Sequence, residues 1–315
     1  MNIVSFLPSA TEIVYALGLE NHLVGVTHEC DYPSGAKYKP VAVRSALKIE
    51  GLNQAEIDKR VRDAHREGLS FYAVDEALLK TAAPDLILTQ DLCQACAPSG
   101  NEISALLKHL PKPPEILWLT PTCLADILEN IKQVGTATGK ASAAEQLVVD
   151  LQKRLASIKD HVRKFDSCPR VFFMEWLSPP YCGGHWVGEM IEHAGRFDRF
   201  AKKGADSMRI HWEAIVAYAP EILILSPCGF NLSQVIVQFE LLTHYPGWER
   251  LPAVKHGRVY AVDANSYFAR PGPRVVDGIE LLAHIFHPEH FEWTGPAEAF
   301  RVLDREVLES EASSG

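Results

Sequence analysis

Cys93-Gln-Ala-Cys96 is the segment whose residue types and spacing most directly suggest chemistry. A C-x-x-C pair supports three readings. It can be half of a zinc site, although no second C-x-x-C or H-x-x-H completes one. It can be a redox pair, because two thiols at turn spacing lower one another's pKa. It can also be two small residues in a tight loop, the reading favoured here. A composite metal site from His28, Cys30, Cys93 and Cys96 stays open, since both segments follow strands of the first half and thiolates with imidazole suit zinc or an iron–sulfur cluster. The chain would then be a cytosolic metal- or redox-active protein, with an enzyme among the options. No residues form a committed nucleophile–base pair, so a non-catalytic protein is the expectation.

Gly183-Gly-His-Trp186 is the sharpest motif of the second half. Two glycines let backbone approach a ligand closely. His185 could donate to a ligand amide or bind a metal as neutral imidazole; the competing reading is a turn into a helix with Trp186 packed beneath it. Trp176 and Trp212 add rigid apolar surface that suits a large flat ligand, or else they are core. Tyr267-Phe-Ala-Arg-Pro-Gly-Pro-Arg274 carries Phe268, Arg270 and Arg274, whose guanidinium groups suit a phosphate or amide oxygen or a rim salt bridge. Ser9-Ala-Thr-Glu12 fits a capping box. Its helix N-terminus, with Ser9 and Ala10, could offer free N–H groups to a ligand oxygen, or could simply start a helix.

These residues need a scaffold, and the apolar runs supply one. Ile3–Leu7, Leu23–Thr27, Asp85–Thr89 and Glu115–Leu119 read as strands of the first half; Arg170–Met174, Ile222–Leu225 and Arg258–Val262 read as strands of the second. Helical patterns lie between them, over Thr11–Leu17, residues 53–66, Val187–Ala194 and Val275–Ile285. Such alternation predicts an α/β chain with mainly parallel sheets covered by helices. His28-Glu-Cys-Asp-Tyr-Pro33 follows a strand, and strand C-terminal ends of open α/β sheets are where ligands bind. Ala83-Pro-Asp-Leu-Ile-Leu88 and Ala219-Pro-Glu-Ile-Leu-Ile224 echo one another, each following a helical segment. Between the halves, Leu147, Leu151, Leu155, Ile158 and Val162 form one apolar stripe. That predicts a helix over residues 141–164, about 35 Å long at 1.5 Å per residue, stopped before Pro169. The expected organisation is an N-terminal lobe over 1–138, a connecting helix over 139–165, a C-terminal lobe over 166–290, and an extension over 291–315 whose end frays.

Composition narrows the function classes. The 315 residues are 47% hydrophobic, and the formal charge is 31 − 40 = −9. An acidic chain lacks the basic footprint of a general nucleic-acid binder, and no run reaches the roughly 20 apolar residues of a membrane span. Small-molecule or protein partners are expected. The seven cysteines are an odd count at irregular spacing, which reads as free thiols, a metal site or a redox pair more than a disulfide framework. The fold starts at residue 2 with no secretory signal ahead of it, which predicts a cytoplasmic protein; a start codon upstream of Met1 would make it periplasmic or extracytoplasmic.

Ile3-Val-Ser-Phe-Leu-Pro-Ser-Ala-Thr-Glu12, Gly25-Val-Thr-His-Glu-Cys-Asp-Tyr-Pro33 and Pro84-Asp-Leu-Ile-Leu-Thr-Gln90 resemble the first lobe of the helical-backbone (class III) substrate-binding proteins of ABC importers, the cobalamin and iron–siderophore type. Glu175-Trp-Leu-Ser-Pro-Pro180, Gly184-His-Trp-Val-Gly-Glu189 and Arg270-Pro-Gly-Pro-Arg274 resemble the cobalamin-binding subgroup. The resemblance spans about residues 2–285 and implies two α/β lobes, one rigid connecting helix and a ligand held between the lobes. The implied ligand is cobalamin or a related corrinoid, with a ferric chelate or haem as alternatives. The implied ligand-binding set is Ser9, Ala10, His28, Tyr32, Gln90, Trp176, His185, Trp186, Trp212, Phe268, Arg270 and Arg274, Tyr32 matching the position whose ring packs on the corrin. Cobalt ligation by His185 is one further option. Glu213 matches the glutamate offered to an ABC permease arginine. Its strict first-lobe counterpart falls on Ala77, with Glu76 one residue off.

Overall fold

The computed structural model describes residues 1–91, 110, 112–162 and 169–303. The described chain is mixed α/β, with two sheets flanked by helices. It divides into two compact units, the first made of Met1–Leu52, Glu56–Pro121 and Ala125–Leu151, the second of Asn53–Ala55, Thr122–Leu124 and Gln152–Gly315.

In unit 1 the strands β1 (Ile3–Ser5), β2 (Leu23–Thr27), β3 (Val41–Ser45), β4 (Tyr72–Val74), β5 (Leu86–Thr89) and β6 (Glu115–Trp118) form a sheet of order β4-β3-β2-β1-β5-β6. All neighbours are parallel except β3 and β4. The inner strands are apolar along their whole length because helices cover both faces of a parallel sheet; every residue of β1 and β5 is buried. Val4, Phe6, Ala42, Val43, Leu79 and Ile87 make one continuous core cluster. At Gly25 a side chain would meet Ala42 Cβ at 3.2 Å and Val4 Cγ2 at 3.3 Å, so the strand carries none there.

In unit 2, β7 (Val171–Leu177), β8 (Pro180–Cys182), β9 (Ile222–Leu225), β10 (Val259–Val262) and β11 (Phe300–Val302) follow the order β11-β10-β9-β7-β8. The central strands β7, β9 and β10 are parallel, while both edge strands pair antiparallel. Within the extension after residue 290, β11 pairs with β10, and Leu303 is buried beyond it. Residues 304–315 lie outside the described residues.

The echo between the halves takes physical form. Helix Glu76–Ala82 ends on Ala83 at φ 43, ψ 63, and helix Trp212–Tyr218 ends on Ala219 at φ 51, ψ 63. Both alanines sit in the left-handed region more usual for glycine, each followed by a proline that cannot continue the helix and then by an inner strand. The long helix spans Ala141–Val162, its part to Leu151 counted in unit 1 and its part from Gln152 in unit 2. Its buried stripe is Ala144, Val148, Leu151, Leu155, Ile158 and Val162, whereas Leu147 is only half-buried. In the second unit Arg154 donates to Glu280 Oε1 and Oε2 and to Asp277 Oδ1 at 2.6–3.0 Å, tying this helix to helix Val275–Phe286.

Candidate functional site

The candidate residues fall in both units, some in loops that follow strands and others inside elements, Trp176 within β7 and Trp212 at the start of a helix. In unit 1, helix Pro8–Ala16 starts two residues earlier than the capping-box reading requires. Leu7 is the N-cap and Pro8 the first helical residue, with no side-chain cap hydrogen bond. Proline carries a preset helical φ and lacks an N–H that would be unpaired at this position anyway, so it starts the helix ahead of Ser9. Ser9 and Ala10 are therefore buried inside the first turn, and the capping-box expectation is corrected.

His28 and Tyr32 follow β2. His28 is exposed, and its Nδ1 lies 3.2 Å from Thr27 Oγ1. Tyr32 is 47% exposed, one of the larger apolar surfaces of the unit, and precedes Pro33 through a cis peptide bond. Cys30, by contrast, is buried with its Sγ 3.1 Å from Thr11 Oγ1. Gln90 is buried at the end of β5. Cys93 and Cys96 lie outside the described residues. Among the described residues no group of three His, Cys, Asp or Glu side chains is arranged to hold a metal ion.

In unit 2 four of the expected contact residues, Trp186, Trp212, Phe268 and Arg270, are buried. Trp186 is buried and its Nε1 donates to Phe268 O at 2.8 Å. Phe268 is itself buried, edge-on to Phe173. Trp212 is buried, donates Nε1 to Pro246 O at 2.9 Å and stacks on Tyr245 with centroids 4.5 Å apart. A buried indole N–H takes whatever acceptor its pocket offers, and here each already has one. Trp176 is half-buried; its Nε1 is shared between Gln54 O at 3.2 Å and Ser178 O at 3.1 Å. Arg270 is buried, and Arg274 is half-buried just ahead of helix Val275–Phe286.

His185 is the best-placed candidate of this unit. It is only partly buried, and its backbone adopts φ 51, a conformation that costs an L-residue about 1–2 kcal/mol. Hydrogen bonds hold it there: His185 N donates to Ala205 O at 2.6 Å and Gly204 N donates to His185 O at 2.9 Å. His185 Nε2 lies 3.2 Å from Asp206 Oδ1, a close approach without hydrogen-bond alignment.

The residue that reading by motif misses is Glu175. Met174 pairs with Cys182 and Trp176 with Tyr181, so Glu175 is the extra residue of a bulge in β7. Bulges re-aim side chains. Glu175 Oε2 accepts from Gly184 N at 2.8 Å, and its Oε1 accepts from Ser207 Oγ at 2.6 Å. Loss of solvent around the carboxylate pushes its pKa up, while the Ser207 and Gly184 donors and the nearby His185 pull it down. A charged residue interrupting an otherwise apolar strand run was the available signal.

Glu213 and Glu76 occupy similar places. Each is exposed in the first turn of the seven-residue helix that leads to the αL alanine of its unit. Glu76 pairs with Lys80 at 3.4 Å.

Comparison with known proteins agrees with this architecture. Residues 3–266 match the family model described as periplasmic binding protein. The uncharacterized ABC transporter substrate-binding lipoprotein YvrC of Bacillus subtilis is 27% identical, aligned over 92% of this chain and 81% of its own length. A vitamin B12-binding protein of Vibrio parahaemolyticus is 23% identical over 92% of this chain and 89% of its own. Among solved structures, the periplasmic vitamin B12-binding protein of Vibrio cholerae aligns with a TM-score of 0.63 at 21% identity, covering 92% of this chain and 98% of that one. A periplasmic heme-binding protein of Pseudomonas aeruginosa aligns with a TM-score of 0.70 at 19% identity, covering 92% and 93%. With the family model spanning both sheets' central strands, the chain belongs to the periplasmic binding protein family.

Proposed function

We propose that this protein is the substrate-binding component of an ABC importer and that its ligand is a corrinoid such as cobalamin. The observation that carries the reading is alignment with vitamin B12-binding proteins over nine-tenths of the chain. The exposed ring of Tyr32 after β2 and the Gly183–His185 turn are the proposed contacts. Binding without catalysis fits the relatives, which carry binding names. Glu213, with Glu76 as its counterpart in unit 1, is proposed to dock on a permease. Work outside the cytoplasm fits the same reading; nothing in the comparisons supports the cytoplasmic expectation, and no described helix is long and apolar enough to cross a membrane.

Titration with cyanocobalamin, followed by quenching of tryptophan fluorescence, tests the proposal. Saturable quenching below tens of micromolar is expected, and Tyr32→Ala should weaken it about tenfold, the worth of one aromatic contact. Quenching by hemin or a ferric chelate but not by cyanocobalamin would move the assignment to those ligands, which the heme-binding structural neighbours keep in view.

A further inference from the structure

We infer that Glu175 is a positioning residue for ligand recognition, its carboxylate setting the shape of the Gly183–His185 turn and of the Ala205–Ser207 segment beside it. This rests on the reading of that turn as a ligand contact. The geometry behind it is independent of the ligand. The bulge in β7 turns Glu175 toward the turn, where one carboxylate oxygen accepts Gly184 N and the other accepts Ser207 Oγ. The carboxylate thus ties together two segments that flank the His185 imidazole, one through its own neighbour Gly184 and the other through the neighbour of Asp206. The fit admits no side chain at residue 184: a Cβ there would lie 2.4 Å from Ser207 N and 2.5 Å from Ser207 Oγ. His185 persists at φ 51 because these bonds over-determine it, as strained backbone requires. Without Glu175, Gly184 N loses its acceptor, the Ser207 hydroxyl is released, and the imidazole and Asp206 are no longer held at one fixed separation.

Charge and shape make different predictions. Glutamine can keep both bonds, its Oε1 accepting Gly184 N and its Nε2 donating to Ser207 Oγ. If Glu175 positions, Glu175→Gln should bind cyanocobalamin within about twofold of wild type, whereas Glu175→Ala should lose about tenfold, the worth of one hydrogen bond to a charged group. Ser207→Ala, which removes one of the two bonds, should fall between them and also serves if Glu175→Ala does not fold. Amide hydrogen exchange supplies a readout that needs no ligand: Gly184 N–H should lose protection in Glu175→Ala and keep it in Glu175→Gln. The inference is overturned if Gly184 protection is the same in Glu175→Ala and wild type, or if Glu175→Gln binds as poorly as Glu175→Ala. Should the wild type bind no cyanocobalamin, the corrinoid reading fails while the exchange result still decides the positioning role.

Discussion

Asp198→Ala is expected to destabilise unit 2 by about 3–5 kcal/mol near pH 5, lowering its thermal midpoint by about 10 °C. Asp198 is 2% exposed, and its carboxylate gathers backbone donors from two neighbouring segments. Oδ2 accepts from Phe173 N at 2.8 Å, Oδ1 accepts from Phe200 N at 2.9 Å, and Ala201 adds a third backbone donor. Truncation strands all three N–H groups, and each donor orphaned away from water costs roughly 1–3 kcal/mol. Burial raises the Asp198 pKa to about 6, against the pull of those donors. A carboxyl whose folded pKa is raised contributes stability that is fully present below its ordinary value and is lost as pH rises through the folded one. The gap between wild type and Asp198→Ala should therefore be widest near pH 4 and narrow by up to about 3 kcal/mol on the way to pH 7. Chemical denaturation at a series of pH values measures it. A gap below about 1 kcal/mol throughout, or one that widens with pH, would count against this account.

Asp198 also marks the boundary of what the sequence makes legible. Inner strands announce themselves, because both faces of a central strand are covered and the chain there must be apolar at every position. Val171–Met174, Ile222–Leu225 and Leu86–Thr89 are of this kind, entirely buried. The short three-residue edge strands do not, and neither does the inner strand Val41–Ser45, only part of which is buried, whereas the edge strand Glu115–Trp118 is legible from its sequence. Tyr72–Val74, Pro180–Cys182 and Phe300–Val302 are three residues each, and two of them have no buried residue. Their strand character comes from the neighbour that offers a free edge, a tertiary fact rather than a local preference. Helix Leu124–Ala137 is a different case: Leu124, Ile127, Ile131 and Val134 carry a helical spacing and are all buried, yet the helix is absent from the sequence expectation.

The candidate site follows the same division. Motif reading finds the loops, since glycines, prolines and aromatics at strand ends are local signals. It does not sort the aromatics. Trp186, Trp212 and Tyr32 look alike as residues, yet the first two have their N–H groups taken by backbone carbonyls inside unit 2 and only Tyr32 is substantially exposed. Nor does it find Glu175, whose partner Ser207 is 32 positions away and whose direction depends on a bulge. Cap geometry is similarly non-obvious: one proline at residue 8 moves the helix start past a capping box that reads well on paper.

The second large effect belongs to His287 and runs opposite in sign to Asp198. His287 is 4% exposed at the end of helix Val275–Phe286. Its Nδ1 lies 3.2 Å from Arg196 Nη2 and its Nε2 lies 3.2 Å from Ala194 O. A guanidinium can only donate, so Nδ1 is the acceptor and the neutral ring carries its proton on Nε2, directed at the carbonyl. Burial, reinforced by the Arg196 charge, lowers the His287 pKa to about 4. Protonation would set a second cation against Arg196 in a site already closed to water. A base whose folded pKa is depressed contributes stability that is fully present above its ordinary value near 6.5 and is lost as pH falls toward 4, here by up to about 3 kcal/mol. Over much of that window Asp198 gains as the pH falls, so the two terms offset and the wild type should show a shallow acid slope. Single variants uncouple them. The amide introduced by His287→Gln keeps an acceptor for Arg196 and a donor for Ala194 O but cannot take up a proton. His287→Gln should be no more stable than wild type at pH 7 and should overtake it as the pH falls, the difference reaching about 2 kcal/mol near pH 4. Asp198→Ala should do the reverse, falling further behind wild type over the same interval. Parallel curves for His287→Gln and wild type between pH 7 and pH 4 would mean that His287 does not titrate inside this fold, and the opposition between the two buried groups would be lost.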